Sequence, residues 1–458
     1  MRIKNATMKE LKDEAKKKQI VCFGAAKMGR EALETPGLGE RIIEFIDNDK
    51  NKQGKVLRKQ GGHGIPVVSL DEIDICARKN IFVLITSGAY DEIIKTLEKA
   101  WEGIDVDVYI YAKVKLNIDK GSKEWYEHRF MRPIKRILKN YLGYRYEEPE
   151  REKIFEEKMR NVYEFVNNGK RVVPAITFML TSRCTLNCKE CLALTPFFKG
   201  REYDIPVETI LRDMEKFFES IDYCSWVGFL GGEPFLYEGL DKLLAYVNEN
   251  EKVESVFIPS NGTVLPDDAV IRQLQNPKVH VGLSYYGFLD EMSRIVTVFE
   301  KNHILFRVIP MDEIWVRSGG IEARGKSEQE IREDNIRCLC AQDSRNIQDG
   351  KLYCCGRIAR LHMLGVTDSQ TDYVDLNDEC PTRRWEKIQD LYLRDYAQGC
   401  DYCDFGGASP VKVKSGEQIE RRDISKYLIC NQSEYDELKR KAELWDLLNV
   451  SSTEPRSS

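Results

Sequence analysis

Val172-Val173-Pro174-Ala175-Ile176-Thr177-Phe178-Met179-Leu180 leads through Thr181-Ser182-Arg183 into Cys184-Thr185-Leu186-Asn187-Cys188-Lys189-Glu190-Cys191. The apolar run has the length and composition of a buried strand, so the three cysteines fall on the loop that follows it. Three thiolates on one short loop can converge on one metal centre. A four-iron cubane takes about four cysteine ligands when closed. Three ligands leave one iron open, and an open iron can hold a small molecule and act as a catalyst. Zinc is the competing reading. It calls for four Cys or His ligands in paired groups. Cys188 and Cys191 form one such pair, but no second pair and no His stands nearby.

The 458-residue length leaves room for several domains, and 42% apolar residues are enough for a sizeable core. A net charge of −5 lacks the basic footprint of a nucleic-acid binder. No run of apolar residues is long enough for a transmembrane helix. The start, Met1-Arg2-Ile3-Lys4-Asn5, carries no signal-peptide apolar region. Fourteen cysteines in such a chain read as metal ligands and reduced thiols, and a cytoplasmic location is expected.

Residues 172–329 alternate strand and helix, with strands expected at 175–180, 225–231, 254–259, 279–285 and 304–310, the pattern of a parallel α/β sheet. Gly231-Gly232-Glu233-Pro234 ends the second of these strands. With the Cys-x3-Cys-x2-Cys loop, this segment resembles the radical SAM superfamily. The resemblance implies a partial (β/α)6 barrel and a [4Fe-4S] cluster on Cys184, Cys188 and Cys191 that binds S-adenosylmethionine (SAM). It also implies that Gly231, Gly232, Glu233 and Pro234 meet the methionine amino group, with Glu233 fixing the ammonium. Ser260 and Asn261 would meet the ribose, and Ser284 the cofactor or substrate. Glu190 stands where the family usually has an aromatic residue near the adenine, so that contact must come from elsewhere.

Residues 330–410 hold a second group of cysteines. Cys340-x9-Gly350-x4-Cys355 resembles the opening of the SPASM motif, and Cys400-Asp401-Tyr402-Cys403 resembles the shortened twitch variant. This implies a second, auxiliary [4Fe-4S] cluster on Cys340, Cys355, Cys400 and Cys403, with Cys338 and Cys354 as alternates. Four cysteines suit zinc equally well. Residues 411–458 read as a C-terminal helix, over 423–448, and tail.

Residues 1–120 read as a Rossmann-like domain. Strand 19–23 enters Gly24-Ala25-Ala26-Lys27-Met28-Gly29, a weakened dinucleotide fingerprint, and the next strand ends at Asp47, placed for a ribose hydroxyl. The segment resembles nucleotide-sugar-binding domains of glycan-pathway enzymes, which makes Gly24, Ala26, Gly29 and Asp47 candidate nucleotide contacts; a packing or dimerisation domain is the alternative. Residues 121–171 read as a helical connector whose basic, amphipathic face suits packing between domains or contact with anionic lipid.

The combination implies an oxidoreductase that forms a 5′-deoxyadenosyl radical, with a ferredoxin or flavodoxin as electron donor. A carbohydrate-like substrate, a nucleotide sugar or aminocyclitol, is expected to be oxidised. The alternatives are radical epimerisation, with Cys354 or Cys338 returning a hydrogen atom, and SPASM-type peptide modification.

Overall fold

The computed structural model describes residues 1–419 apart from 60–63, 76, 119, 311–313, 344, 379 and 408–410. The helix expected over 423–448 lies outside the described residues. The chain divides into two compact units, Met1–Trp125 and one that starts at Tyr126.

The first unit is built on seven strands: β1 (Arg2–Lys4), β2 (Gln19–Phe23), β3 (Ile42–Ile46), β4 (Val56–Arg58), β5 (Gly64–Val68), β6 (Ile81–Ile85) and β7 (Asp107–Ile110). Their order is β1-β7-β6-β2-β3-β5-β4, with only β4 running antiparallel to its neighbour. Strand alternation explains why both faces are covered. Ile20, Cys22, Phe82 and Leu84 join one buried cluster, while Val21, Phe23, Val83 and Ile85 join another. A sheet buried on both faces reads as continuous apolar runs, as β2 and β6 do. The chain order reverses between β2 and β6, the place where ligands bind in open α/β sheets.

The second unit contains β8 (Val172–Met179), β9 (Tyr223–Leu230), β10 (Val256–Ser260), β11 (Val279–Ser284), β12 (Phe306–Ile309), β13 (Ile314–Val316), β14 (Asn346–Gln348), β15 (Lys351–Tyr353), β16 (Tyr373–Asp375) and β17 (Lys412–Lys414). One eight-stranded sheet runs β12-β11-β10-β9-β8-β14-β15-β16, and β13 pairs with β17 separately. Strands β8 to β12 are the five expected, all parallel. The sixth parallel strand is β14, which pairs with β8 and comes from the second cysteine-rich segment. Among the described residues the two ends of this sheet do not pair.

Ile176, Phe178, Val227, Phe229, Ile258 and Val281 join one core with helices Val207–Glu219, Leu240–Glu249 and Leu289–Lys301. By alternation the other sheet face carries Met179, Leu230, Pro259 and Ser284 at the strand ends, with Trp226, Phe257 and His280 nearer the strand starts.

The connector forms helices Arg132–Gly143 and Glu150–Asn167. Its basic residues have internal partners. Buried Arg129 donates to the carbonyls of Tyr392 and Arg394, Arg136 pairs with Asp343, and Lys135 with Glu127. These contacts account for the basic face by packing within the unit. No helix among the described residues is long and apolar enough to cross a membrane.

Candidate active site

The loop after β8 brings Cys184, Cys188 and Cys191 to one cavity of about 240 Å³. Gly231, Gly232, Pro234, Ser260, Asn261 and Ser284 line the same cavity, so the ends of β8 to β11 converge there as expected. Among the described residues no three Cys, His, Asp or Glu side chains stand close enough to grip a single ion. Three thiols of one loop that line one cavity suit a cluster held by three protein ligands. Burial pushes Cys184 up to about 11 and Cys188 up to about 12. Such thiols keep their protons near neutrality until a metal centre supplies positive charge and displaces them. The donor set therefore fits a cubane with one open iron.

Two glycines let the cluster loop lie against the end of β9. Gly232 N–H donates to Thr181 O and Glu233 N–H to Arg183 O, both at 2.8 Å. A Cβ at Gly232 would sit 2.0 Å from Arg183 O and 3.0 Å from Cys184 Cβ. This position needs glycine because two backbones touch there.

Glu233 corrects the sequence expectation. It is fully buried and does not line the cavity. Its carboxylate accepts the N–H groups of Asn261 at 2.8 Å and Phe235 at 3.2 Å. Burial raises it to about 7, with those hydrogen bonds opposing. Glu233 thus holds the loop after β10 rather than an ammonium group. Asn261 then reaches the cluster loop, donating to Thr185 Oγ1 at 3.0 Å and to Cys184 Sγ at 3.5 Å. Ser260 Oγ accepts Gly262 N–H at 3.1 Å and shapes the same turn.

Several residues were not singled out from the sequence. Tyr286 and Trp315 line the cavity and meet edge to face with centroids 5.8 Å apart, giving it the aromatic surface missing at Glu190. Glu190 instead accepts Gly319 N–H at 3.2 Å and lies 3.9 Å from the buried Arg317, which also faces Asp404. The loop thereby gains an electrostatic anchor. Gln418 donates to Cys188 Sγ at 3.2 Å. Arg360 is buried beside Cys191, donates to Thr181 O at 2.6 Å and lies over the rings of Phe198 and Tyr203. Burial lowers it to about 9, so it remains a cation at neutral pH beside Cys191. None of these has a spacing signal, because each reaches the site by tertiary packing.

A second, smaller cavity of about 30 Å³ is lined by Cys338, Cys340, Cys354, Cys355, Cys400 and Cys403. The four expected cysteines meet, and both alternates join them. The thiol of Cys340 hydrogen-bonds to Cys338, holding Cys338 below the usual thiol range and Cys340 above it. Cys354 is buried in the core at the end of β15. Cys338 and Cys354 do not line the first cavity, which corrects their assignment as hydrogen donors; Cys340 and Cys355 do line it. Arg357 lines both cavities and donates to Gly319 O and Gly320 O at 2.7 Å.

A third cavity, about 530 Å³, opens on the same sheet face. Trp226, Phe257, His280 and Tyr141 supply rings, and Arg136, Asn140 and Asp343 supply polar groups. Burial lowers His280 to about 4, so it is neutral at physiological pH.

In the first unit, Gly24 has φ +114° and Gly29 packs on the turn, where a Cβ would lie 2.2 Å from Gly24 O. Ala26 caps helix Lys27–Glu34 without a side-chain bond. Asp47 turns inward: it accepts Ala25 N–H at 2.8 Å and Asp49 N–H at 2.9 Å, with Lys52 Nζ 3.3 Å away. Its carboxylate braces the glycine turn, which corrects the expected ribose contact.

Comparison with known proteins agrees with the two units. Residues 178–303 match the model of the radical SAM superfamily, and residues 1–104 match that of the C-methyltransferase C-terminal domain. A GTP 3′,8-cyclase of Helicobacter pylori (strain HPAG1) is 28% identical over 102 residues, 22% of this chain and 31% of that protein. An Fe-coproporphyrin III synthase of Methanosarcina barkeri is 29% identical over 119 residues, 25% of this chain and 26% of that one. The chain thus spans under a third of the length of these curated relatives. The structure of BtrN in complex with AdoMet and 2-DOIA aligns with 15% identity and a TM-score of 0.35, over 54% of this chain and 96% of that one. With the cysteine loop, the glycine pair and the strand ends meeting at one cavity, the chain carries a radical SAM superfamily domain over residues 178–303.

Proposed function

We propose that this chain is a radical SAM enzyme that abstracts a hydrogen atom from a carbohydrate-like substrate, a nucleotide sugar or an aminocyclitol. The observation that carries this reading is the pairing of a cysteine-lined cavity with a larger ring-lined one on the same sheet face, joined at Cys340. Cys184, Cys188 and Cys191 would hold a four-iron cluster, which with SAM bound would supply a 5′-deoxyadenosyl radical. The protein positions and shields. Tyr286 and Trp315 receive the adenine, Arg357 meets the carboxylate, and backbone groups of Gly231 and Gly232 face the ammonium. In the larger cavity the flat faces of Trp226, Phe257 and Tyr141 suit the C–H face of a sugar ring, while Asn140, Arg136 and Asp343 suit its hydroxyls. A ferredoxin or flavodoxin delivers the electrons. The first unit supports the reading as a weak nucleotide-sugar binder, its phosphate approaching the Gly24–Ala26 turn.

Oxidation of the substrate radical is one outcome, with the auxiliary cluster as electron acceptor; Cys355 and Arg357 line both cavities and shorten that path. Return of hydrogen, giving inversion of configuration, is the second, and the Cys340 thiol on the shared wall favours it. Anaerobic reconstitution with a panel of nucleotide sugars and aminocyclitols, read by mass spectrometry in deuterated water, tests the proposal. A product lighter by two hydrogens marks oxidation. Solvent deuterium on carbon marks inversion. If all panel members stay unchanged while peptide substrates react, the carbohydrate reading fails.

A further inference from the structure

Cys340 borders the cofactor cavity, the auxiliary cavity and the ring-lined cavity. Among the described residues no other lines all three. Cys338, Cys400 and Cys403 line only the auxiliary cavity. A closed cubane takes about four thiolates, and six cysteines ring this one, so two are surplus. Cys354 is in the core. Of the five that remain, Cys340 alone also lines the ring-lined cavity.

From this geometry we infer that Cys338, Cys355, Cys400 and Cys403 hold the auxiliary cluster, and that Cys340 remains a free thiol which gives a hydrogen atom to carbon radicals formed at the cofactor cavity. The inference rests on the radical reading above. The step balances as follows. The S–H bond of Cys340 breaks and a C–H bond forms at the radical carbon, leaving a thiyl radical. The thiyl takes one electron from the adjoining auxiliary cluster and one proton from water in the open ring-lined cavity, restoring the thiol. A one-electron donor of the ferredoxin or flavodoxin class refills the cluster. No net oxidation of the substrate results.

The test needs no substrate. The full chain is reconstituted anaerobically, reduced with dithionite and given SAM in deuterated water, where the Cys340 thiol exchanges to S–D. The wild type should form 5′-deoxyadenosine carrying one solvent deuterium. Cys340→Ala should still form 5′-deoxyadenosine, with the deuterated fraction reduced several-fold. Iron content and the electron paramagnetic resonance signal of the auxiliary cluster, measured in a Cys184→Ala/Cys188→Ala/Cys191→Ala background, should persist in Cys340→Ala and disappear in Cys338→Ala. Iodoacetamide labelling of the reconstituted chain should modify Cys340 and spare Cys338. An unchanged deuterated fraction in Cys340→Ala overturns the donor role. Loss of the auxiliary signal in Cys340→Ala, or labelling of Cys338 in place of Cys340, overturns the ligand assignment. Absence of 5′-deoxyadenosine from the wild type is a different result and strikes the radical reading itself.

Discussion

Gly232→Ala should damage the cluster loop more than any other single-methyl change at the site. The added Cβ would lie 2.0 Å from Arg183 O, 2.6 Å from Arg183 C and 3.0 Å from Cys184 Cβ. Favourable carbon contacts begin near about 3.5 Å, so the two backbones must separate by more than about 1 Å. They cannot do so freely, because the same carbonyl accepts Glu233 N–H at 2.8 Å. Overpacking of this kind costs about 1–3 kcal/mol of stability. A misplacement of about 1 Å in a reacting constellation costs about a hundredfold in rate. Formation of 5′-deoxyadenosine, followed by liquid chromatography after anaerobic reconstitution, should therefore fall about a hundredfold. Iron at the auxiliary site should stay. Gly88→Ala, whose added Cβ meets nothing within 4 Å, is the control and should cleave at the wild-type rate. Gly232→Ala cleaving as fast as that control would refute the close-approach argument.

Other outcomes follow from the same geometry. Glu233 sits near 7 in the fold against an ordinary 4.5, so the folded state keeps a proton that the unfolded chain has lost, and stability falls as pH rises through that window. Glu233→Gln should flatten this fall, with its denaturation midpoint gaining on the wild type between about pH 4.5 and about 7; parallel pH curves would contradict it. Tyr286→Ala and Trp315→Ala should each weaken SAM retention by about fivefold to about a hundredfold, since base–aromatic stacking contributes about 1–3 kcal/mol. Titration calorimetry reads this, and unchanged affinity removes the stacking role. Cys355→Ala/Cys400→Ala/Cys403→Ala should lose iron and melt lower than the wild type, because metal binding is coupled to folding in cysteine modules; zinc released in place of iron would overturn the auxiliary-cluster reading.

The parts of the site carried by local sequence were legible. The cysteine loop follows an apolar run, and Gly231–Pro234, Ser260–Asn261 and Ser284 end their strands, so the strand pattern placed them and the family resemblance singled them out. Side-chain direction was not legible. Glu233 was assigned to a ligand because of its motif, yet its carboxylate is taken by two backbone amides. Asp47 likewise satisfies amides of the turn it was expected to serve. The sixth parallel strand, β14, has only three residues, too few to show a period, and its partner β8 lies far away in sequence. Trp315 reaches the cavity on β13, which pairs with β17 almost a hundred residues later. Cys338 caps the helix Glu328–Arg337 and Cys340 lies in the next, Leu339–Asp343, two residues on, so spacing could not separate ligand from neighbour.

The most direct measurement of the account quantifies 5′-deoxyadenosine and iron together in the anaerobically reconstituted chain and in its Cys184→Ala/Cys188→Ala/Cys191→Ala variant. The account predicts reductive cleavage of SAM by the wild type, and a folded variant with about four irons fewer and no cleavage. Cleavage that persists in the variant would contradict it.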